Sequence, residues 1–573
     1  ASFIYEIAWI RMLNLVIGAS SHSFELMLSA FIFGLAFGSL WVHRKIDASH
    51  NLVKILMIVQ IAMGMCALLT LPVYGQMFSL MKLLFAKLPR TDTGYIFFNL
   101  SSYGIATAVM VPATFCAGMT LPLITSHLLK TGHREGAIGA VYAWNTLGAI
   151  VGVIFSMHFG MPILGLKGLL SVGASLDIGL GLILLWVYVS PSRSQSILVT
   201  GFGVAFVLFS LMFFPMDLSK MSSGVYRMGT LMQKENSQIL YYLDGKTASI
   251  SVTKHKSGIQ TLQTNGKADA SIQMHDNSPN APDEATMVLL AAIPLSLHPD
   301  ARHVANIGFG SGMTTHTLLG NPNILSVDTI EIERFVLDAS RTFGEKGARA
   351  HDDPRSKIHI DDAKSYFSSH NRKYDIIISE PSNPWVSGVS SLFTEEFYSL
   401  VKRHIAENGI FVQWLHTYES SSPLVISVLK ALSPHFRDYD VYASLSGDII
   451  IVAHNKTEPL RLSEDVFSHP GLKSLLVHVG INSVQDIAVR RIGGKRFYQQ
   501  AFSSMPIPPN SDYFPFLDRT EEDSEIRKND LHSLKKMAAT YGNISDFLND
   551  FSLDPPNRAA NAGEVEFGEN END

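Results

Sequence analysis

The apolar stretch 303–307 runs directly into Gly308-Phe309-Gly310-Ser311-Gly312, and acids follow at Glu331, Asp361, Asp362 and Glu380. A short strand ending in glycines lets the backbone approach a ligand, and an acid roughly twenty residues on is placed to hold ribose hydroxyls. The glycines alternate, so the spacing departs from the G-x-G-x-x-G of dinucleotide sites. Alternating glycines suit a nucleoside cofactor without a pyrophosphate, with the loop beside the amino-acid or aminopropyl part of an adenosylmethionine-type molecule. A structural glycine turn explains one such loop equally well. Order along the chain gives the reading its weight, because glycine loop, Glu331, Asp361-Asp362 and Glu380 fall at four successive strand ends, where open α/β sheets bind ligands.

Roles follow from chemistry. Glu331 can accept hydrogen bonds from both ribose hydroxyls and Asp362 one from an adenine amino group; the plainer reading of each is a strand-end acid capping the next helix. Glu380 stands in the turn Glu380-Pro381-Ser382-Asn383-Pro384-Trp385 and is the candidate general base, or the carboxylate that binds a cationic amine. An amine nucleophile is protonated at neutral pH and must lose a proton before it attacks. Trp385 and Tyr418 are candidate walls of an apolar slot beside Glu380, although an aromatic near a turn also serves as core.

These groups need a scaffold. Apolar strands at 303–307, 326–332, 358–360, 375–379 and 409–415, alternating with helical patterns, predict a parallel doubly wound sheet of the Rossmann-like, class I methyltransferase type. Stretches 441–444 and 449–453 predict a closing antiparallel hairpin. Ahead of the sheet, alternation at 239–242, 248–252 and 261–264 with Asp244-Gly245 and Asn265-Gly266 predicts β-hairpins, a small antiparallel β domain over 238–282. The main domain is expected over 283–455, a cap over 456–545 and a disordered tail over 546–573, which is rich in Asn, Glu, Ala and Gly.

The first 215 residues are different. With 47% hydrophobic residues overall, the excess collects in seven runs, 1–18, 23–42, 52–74, 95–129, 137–164, 169–189 and 197–215, near the ~20 residues that cross a bilayer core. An α-helical transmembrane bundle is expected, making the lipid bilayer a partner. The amphipathic stretch 75–89 is read as an interfacial helix or a further crossing. Because the chain starts without Met and is apolar from residue 1, it is expected to lack its true N-terminus; a signal peptide is the weaker reading. Loop Lys and Arg balance on the two sides, so the catalytic domain is assigned to the cytoplasm of a bacterial inner-membrane protein from cofactor supply rather than charge. Cys66 and Cys116 lie inside apolar runs and imply no disulfide framework; a net charge of −6 without a basic stripe argues against nucleic acid. Glu6, Arg11, Glu25, His158 and Asp177 sit in apolar runs, where ionisable groups face a partner or cavity; a Glu6–Arg11 pair locking helices is preferred over a transport path. Gly34, Gly38, Gly148 and Gly152 have the spacing of close helix packing.

From Tyr242 to about Ala453 the chain resembles spermidine synthase and related polyamine aminopropyltransferases, through Asp244-Gly245, Asn265-Gly266-Lys267, the Gly308 loop, Ile330-Glu331-Ile332-Glu333, 374–378 and, most specifically, Leu392-Phe393-Thr394-Glu395-Glu396-Phe397-Tyr398. The first half resembles a bacterial group in which a multi-helix module is fused to such a domain, by Tyr5-Glu6-x-x-Trp9-x-Arg11, Gly118-x-x-Leu121-Pro122 and 142–148. The resemblance implies transfer of an aminopropyl group from decarboxylated S-adenosylmethionine to putrescine or a related amine, with no metal, by a protein that forms homodimers. It implies ribose at Glu331, adenine at Asp362 and catalysis at Glu380. Asn383 replaces the family's second acid of that turn, and Asp269 or Asp283 is expected to restore the charge; Asn383, Trp385, Asp269 and Asp283 are thus the candidate substrate-binding residues. Two other readings remain: an S-adenosylmethionine-dependent methyltransferase acting on an amine or lipid headgroup, and a transporter with a nucleoside-sensing domain. The glycine loop carries no Lys or Arg for a donor's carboxylate, which favours the decarboxylated donor.

Overall fold

A computed structural model describes residues 1–519 except 48–50, 90, 190–191, 277, 385, 417–421, 445–447 and 503–504. Trp385, Tyr418, the rest of the expected cap and the expected tail therefore lie outside the described residues.

The first part is helical: α1 Ser2–Ile17, α2 Ser21–Ile46, α3 Leu52–Lys87, α4 Asp92–Lys130, α5 Gly136–Phe155, α6 Met161–Leu184 and α7 Arg193–Phe213. A π-helical turn, Ser156–Gly160, joins α5 to α6, and another, Leu185–Val189, extends α6. The resulting 54-residue run would reach ~80 Å as one straight helix, more than twice a bilayer's ~30 Å hydrocarbon core. Gly165 resolves the conflict, because its φ of 66° and ψ of −177° break the run into two helices. Counting that run once, five helical segments among the described residues are long and apolar enough to cross a membrane: α2, α3, α4, Gly136–Val189 and α7. α1, at 16 residues, is instead wrapped by its neighbours. Its Tyr5, Trp9 and Met12 are fully buried; the Tyr5 hydroxyl donates to Asp177 at 2.6 Å and the Trp9 indole to Thr70 at 3.2 Å.

Three expectations about this part change. Residues 75–87 continue α3 without a break, so that stretch is neither a separate interfacial helix nor a further crossing. Arg11 does not lock to Glu6; it leaves the bundle for the carbonyls of Gly245 and Lys246. Of the four glycines, Gly34 and Gly38 do bring helices together, since a Cβ on either would lie 1.9 Å from Thr114 Oγ1 or the Phe115 carbonyl of α4. Gly148 faces open space and Gly152 meets only ordinary contacts, so that pair packs nothing closely.

Two sheets follow. β1 Ser237–Asp244, β2 Ser249–His255, β3 Ile259–Thr264 and β4 Lys267–Gln273 form an antiparallel meander in sequence order. The Asn265-Gly266 turn has positive φ at both residues, 50° and 77°, as the tightest hairpins require. β4 went unread because its sequence, KADASIQ, is polar on most positions. The main sheet contains β5 His303–Ile307, β6 Ser326–Glu331, β7 Ser356–Ile360, β8 Tyr374–Ser379, β9 Ile405–His416, β10 Asp438–Ala443, β11 Asp448–His454 and β12 Arg491–Gly494. Their order is β12-β10-β11-β9-β8-β5-β6-β7. β5 to β9 are parallel, and β11 runs antiparallel to both β9 and β10. This is the Rossmann-like, methyltransferase-type sheet with an added edge strand. Chain order reverses between β5 and β8, so their carboxyl ends border the crevice where such sheets bind ligands. Helix Pro282–Leu297, buried from Glu284 onward, packs in one apolar core with Ile250 and Ile272 of the meander and Ile376 and Ile410 of the sheet.

Candidate functional site

The glycine loop is stitched between two strands. Gly308 N–H donates to the Ile330 carbonyl at 2.9 Å and Glu380 N–H to the Ile307 carbonyl at 2.9 Å. At Gly308, with φ of 94°, a Cβ would lie 2.2 Å from the Glu380 carbonyl oxygen, so β5 and β8 can bring the loop and Glu380 together only around a glycine. Gly310 and Gly312 also have positive φ.

Glu331 ends β6 beneath this loop. Phe309 N–H donates to its Oε2 at 3.0 Å and Glu333 N–H to its Oε1 at 2.9 Å, fixing both oxygens while each keeps a further acceptor position. Burial pushes its carboxyl up to about 7 against the lowering effect of those two N–H groups. Asp361 accepts from Asp362 N–H at 2.8 Å, and Asp362 caps the helix Ala363–Ser369 by accepting from Ser365 N–H at 2.9 Å. Capping is thus a real role of Asp362. It still lines one cavity of about 730 Å³ with Gly308, Gly310, Glu331 and Asp361.

Past the loop, the same cavity is lined by acids. Glu380 is pushed up to about 8, chiefly by removal from water, with a hydrogen bond to Thr314 opposing and the charges of Asp448 and Asp283 adding to the rise. Asp283, in the first turn of Pro282–Leu297, is pushed up to about 6 by burial, against hydrogen bonds from Ser271 and with Asp448 repelling it. Asp448 opens β11 and accepts from the Thr286 hydroxyl at 2.8 Å. It was missed in the sequence because an acid between a turn and an apolar strand looks like turn chemistry. Three carboxylates near one another cannot all ionise cheaply, and a cation is the natural guest. Among the described residues no group of His, Cys, Asp and Glu is placed to hold a metal ion.

The two candidate replacements for the turn's missing acid differ. Asp269 is neutralised by Lys267 at 2.5 Å, and both bond Ser382, at 2.9 Å each. Asp283 instead lines the cavity with Glu380, and its charge adds to the rise of that carboxyl. Asn383 is 1% exposed, and neither its carboxamide oxygen nor its nitrogen has a partner in the structure; a buried amide in that state is costly unless a ligand or water completes it.

The remaining wall comes from the helical module. Ile7, Ile10, Phe24, Met157 and Met161 line the cavity with Arg11. Several contacts seat the module. Ser387 N–H donates to the Ala19 carbonyl at 3.0 Å, and Val386 bridges to Ser20, joining the turn after Glu380 to the α1–α2 connection. Arg11 donates to the Gly245 and Lys246 carbonyls at 3.2 and 3.1 Å. The next residue, Thr247, donates its N–H and hydroxyl to Glu333 at 2.7 and 2.8 Å. Asp244 returns the contact, accepting at 3.0 Å from Leu166 N–H just past the Gly165 break.

Residues 285–459 match the family Spermine/spermidine synthase domain. A polyamine aminopropyltransferase of Nitrosomonas europaea is 29% identical over 177 residues, 30% of this chain and 54% of that protein. One of Escherichia coli is 32% identical over 155 residues, 27% of this chain and 54% of that protein. The chain thus spans about half the length of these curated relatives. A crystal structure of spermidine synthase in complex with the transition-state analogue AdoDATO is similar over 45% of this chain and 92% of its own, at 20% identity and a TM-score of 0.37. The C-terminal half thus carries a domain that matches the spermidine synthase and polyamine aminopropyltransferase family.

Proposed function

We propose that this chain, with its spermidine synthase-family domain and membrane-type helices, moves an aminopropyl group from decarboxylated S-adenosylmethionine to putrescine or a related amine. The acceptor nitrogen attacks the aminopropyl carbon bonded to the sulfonium. The C–N bond forms as the C–S bond breaks, sulfur takes the electron pair to give methylthioadenosine, and the amine's proton passes to Glu380.

The observation that carries this reading is the carboxyl of Glu380, raised to about 8 and set at the end of β8 in the same cavity as Glu331. A base whose pKa lies near neutral both accepts a proton and releases it again. Glu331 takes the ribose hydroxyls and Asp362 the adenine amino group, with Asp361 beside it. Asp283 and Asp448 hold the acceptor's positive charge. Lys267 is already paired with Asp269, which leaves it poorly suited to a donor's carboxylate and supports the decarboxylated donor. The site faces the cytoplasm, where such donors are made.

Glu380→Gln is the test. Turnover should fall by roughly 10²- to 10⁴-fold, the usual contribution of a general base, while nucleoside affinity stays within a factor of a few. Unchanged turnover removes Glu380 from the mechanism.

A further inference from the structure

The cavity has two chemically different regions. Its acids, with Glu380, Asp283 and Asp448 past the glycine loop, all belong to the soluble domain, whereas α1, α2 and the π-turn with the start of α6 contribute Ile7, Ile10, Phe24, Met157 and Met161, beside Arg11, Asn14 and Ser20. At about 730 Å³ it approaches the upper part of the ~300–1,000 Å³ range of small-molecule sites. The two regions are held against each other by backbone contacts, Ala19 with Ser387 and Ser20 with Val386, so the apolar side chains are a built wall of the acceptor side. Phe24 of α2, a helix long and apolar enough to cross a membrane, lines the cavity and is also 41% exposed.

Charge and apolar surface together define the guest. The clustered acids suit one ammonium. A second ammonium placed among Ile and Met side chains would lose its hydration without a partner. A phosphate-bearing headgroup would meet three carboxylates. A hydrocarbon chain fits that wall at no such cost.

Resting on the aminopropyl-transfer reading above, we infer that the acceptor is a phosphate-free primary amine on an apolar tail, which enters from the bilayer. Its nitrogen sits at Glu380 and its tail lies along Ile7, Ile10, Phe24, Met157 and Met161. The helical module is then part of the substrate site, and the bilayer concentrates the acceptor.

The test uses the full chain in lipid nanodiscs with decarboxylated S-adenosylmethionine and a series of straight-chain amines, butylamine, hexylamine, octylamine and decylamine, with putrescine alongside. Methylthioadenosine and the aminopropylated amine are measured by mass spectrometry. A buried methylene corresponds to about a fourfold gain, so kcat/KM should climb by up to that factor per methylene until the tail fills the cavity, and octylamine should exceed putrescine. Ile10→Ser and, separately, Met157→Ser should flatten the climb. Partition of the amines into the disc is common to all three proteins, so a difference in slope reports the cavity. Nucleoside binding by each variant verifies that it is folded.

A flat or falling series with putrescine the best acceptor overturns the apolar-tail inference and leaves aminopropyl transfer standing. Equal slopes in wild type and both variants overturn it as well, by assigning the trend to the disc. Absence of methylthioadenosine with every amine overturns the reaction reading itself.

Discussion

Glu380→Gln has a consequence for stability as well as turnover. Glu380 goes from its ordinary 4.5 to about 8 in the folded protein. Between those values the folded protein keeps a proton that the unfolded chain has released. Folding stability therefore falls as pH rises from about 4.5 to about 8, by ~1.4 kcal/mol per pH unit for this one group, and levels off above. Gln cannot titrate and lacks this decline. The difference between variant and wild type should widen across the window to the order of 4 kcal/mol, which is ~10 °C in Tm for a domain of this size. Asp283, raised by burial and by the charge of Asp448, titrates in both proteins and cancels. Glu331 does the same. The assay is thermal unfolding of both proteins in one detergent at pH 5, 6, 7, 8 and 9. Glu380→Gln should match wild type near pH 5 and exceed it increasingly up to pH 8. Parallel curves would refute the reasoning, because they would mean that Glu380 is already ionised in the fold at neutral pH.

Turnover should share that pH window: kcat/KM rises with pH and reaches its plateau above about 8, because only ionised Glu380 accepts the amine's proton; a profile flat from pH 6 to 9 counts against it. Glu331→Gln should weaken nucleoside binding by ~10- to 100-fold, the loss of one charge-assisted pair of hydrogen bonds, read by calorimetry with methylthioadenosine. Arg11→Ala frees the Gly245–Lys246 carbonyls and should raise KM for the nucleoside several-fold with a smaller change in kcat, since the loop reaches Glu331 indirectly, through Thr247 and Glu333. Gly38→Ala drives a methyl onto the Phe115 carbonyl and should lower Tm, whereas Gly148→Ala meets nothing and should be neutral or stabilising by ~0.5–1 kcal/mol.

The sheet was legible because β5, β6, β8 and β9 are largely buried and read as mainly apolar runs, while the edge strand β7 is half-exposed and showed only through Ile358 and Ile360. The glycine loop and the acids at strand ends were legible for the same topological reason: strand carboxyl ends are where such sheets bind ligands. Strands without an apolar signature were not. β4 is carried by its turn and its pairing with β3, and β12 is a four-residue edge strand. Groups whose meaning depends on distant partners were equally opaque. Nothing local to Arg11 says that its guanidinium reaches carbonyls 234 residues away, and nothing local to Asp448 places it near Glu380. Glycine spacing was an incomplete guide, because a small residue permits close approach but a second helix must be there to use it. At Gly38 α4 supplies it, and at Gly148 nothing does.

The most direct measurement is product analysis by mass spectrometry of the purified full chain supplied with an amine panel and, separately, decarboxylated and intact S-adenosylmethionine. The expected result is methylthioadenosine together with an amine heavier by one aminopropyl group, formed only from the decarboxylated donor and lost in Glu380→Gln. Adenosylhomocysteine and a methylated amine from the intact donor would contradict aminopropyl transfer, and so would the absence of either product.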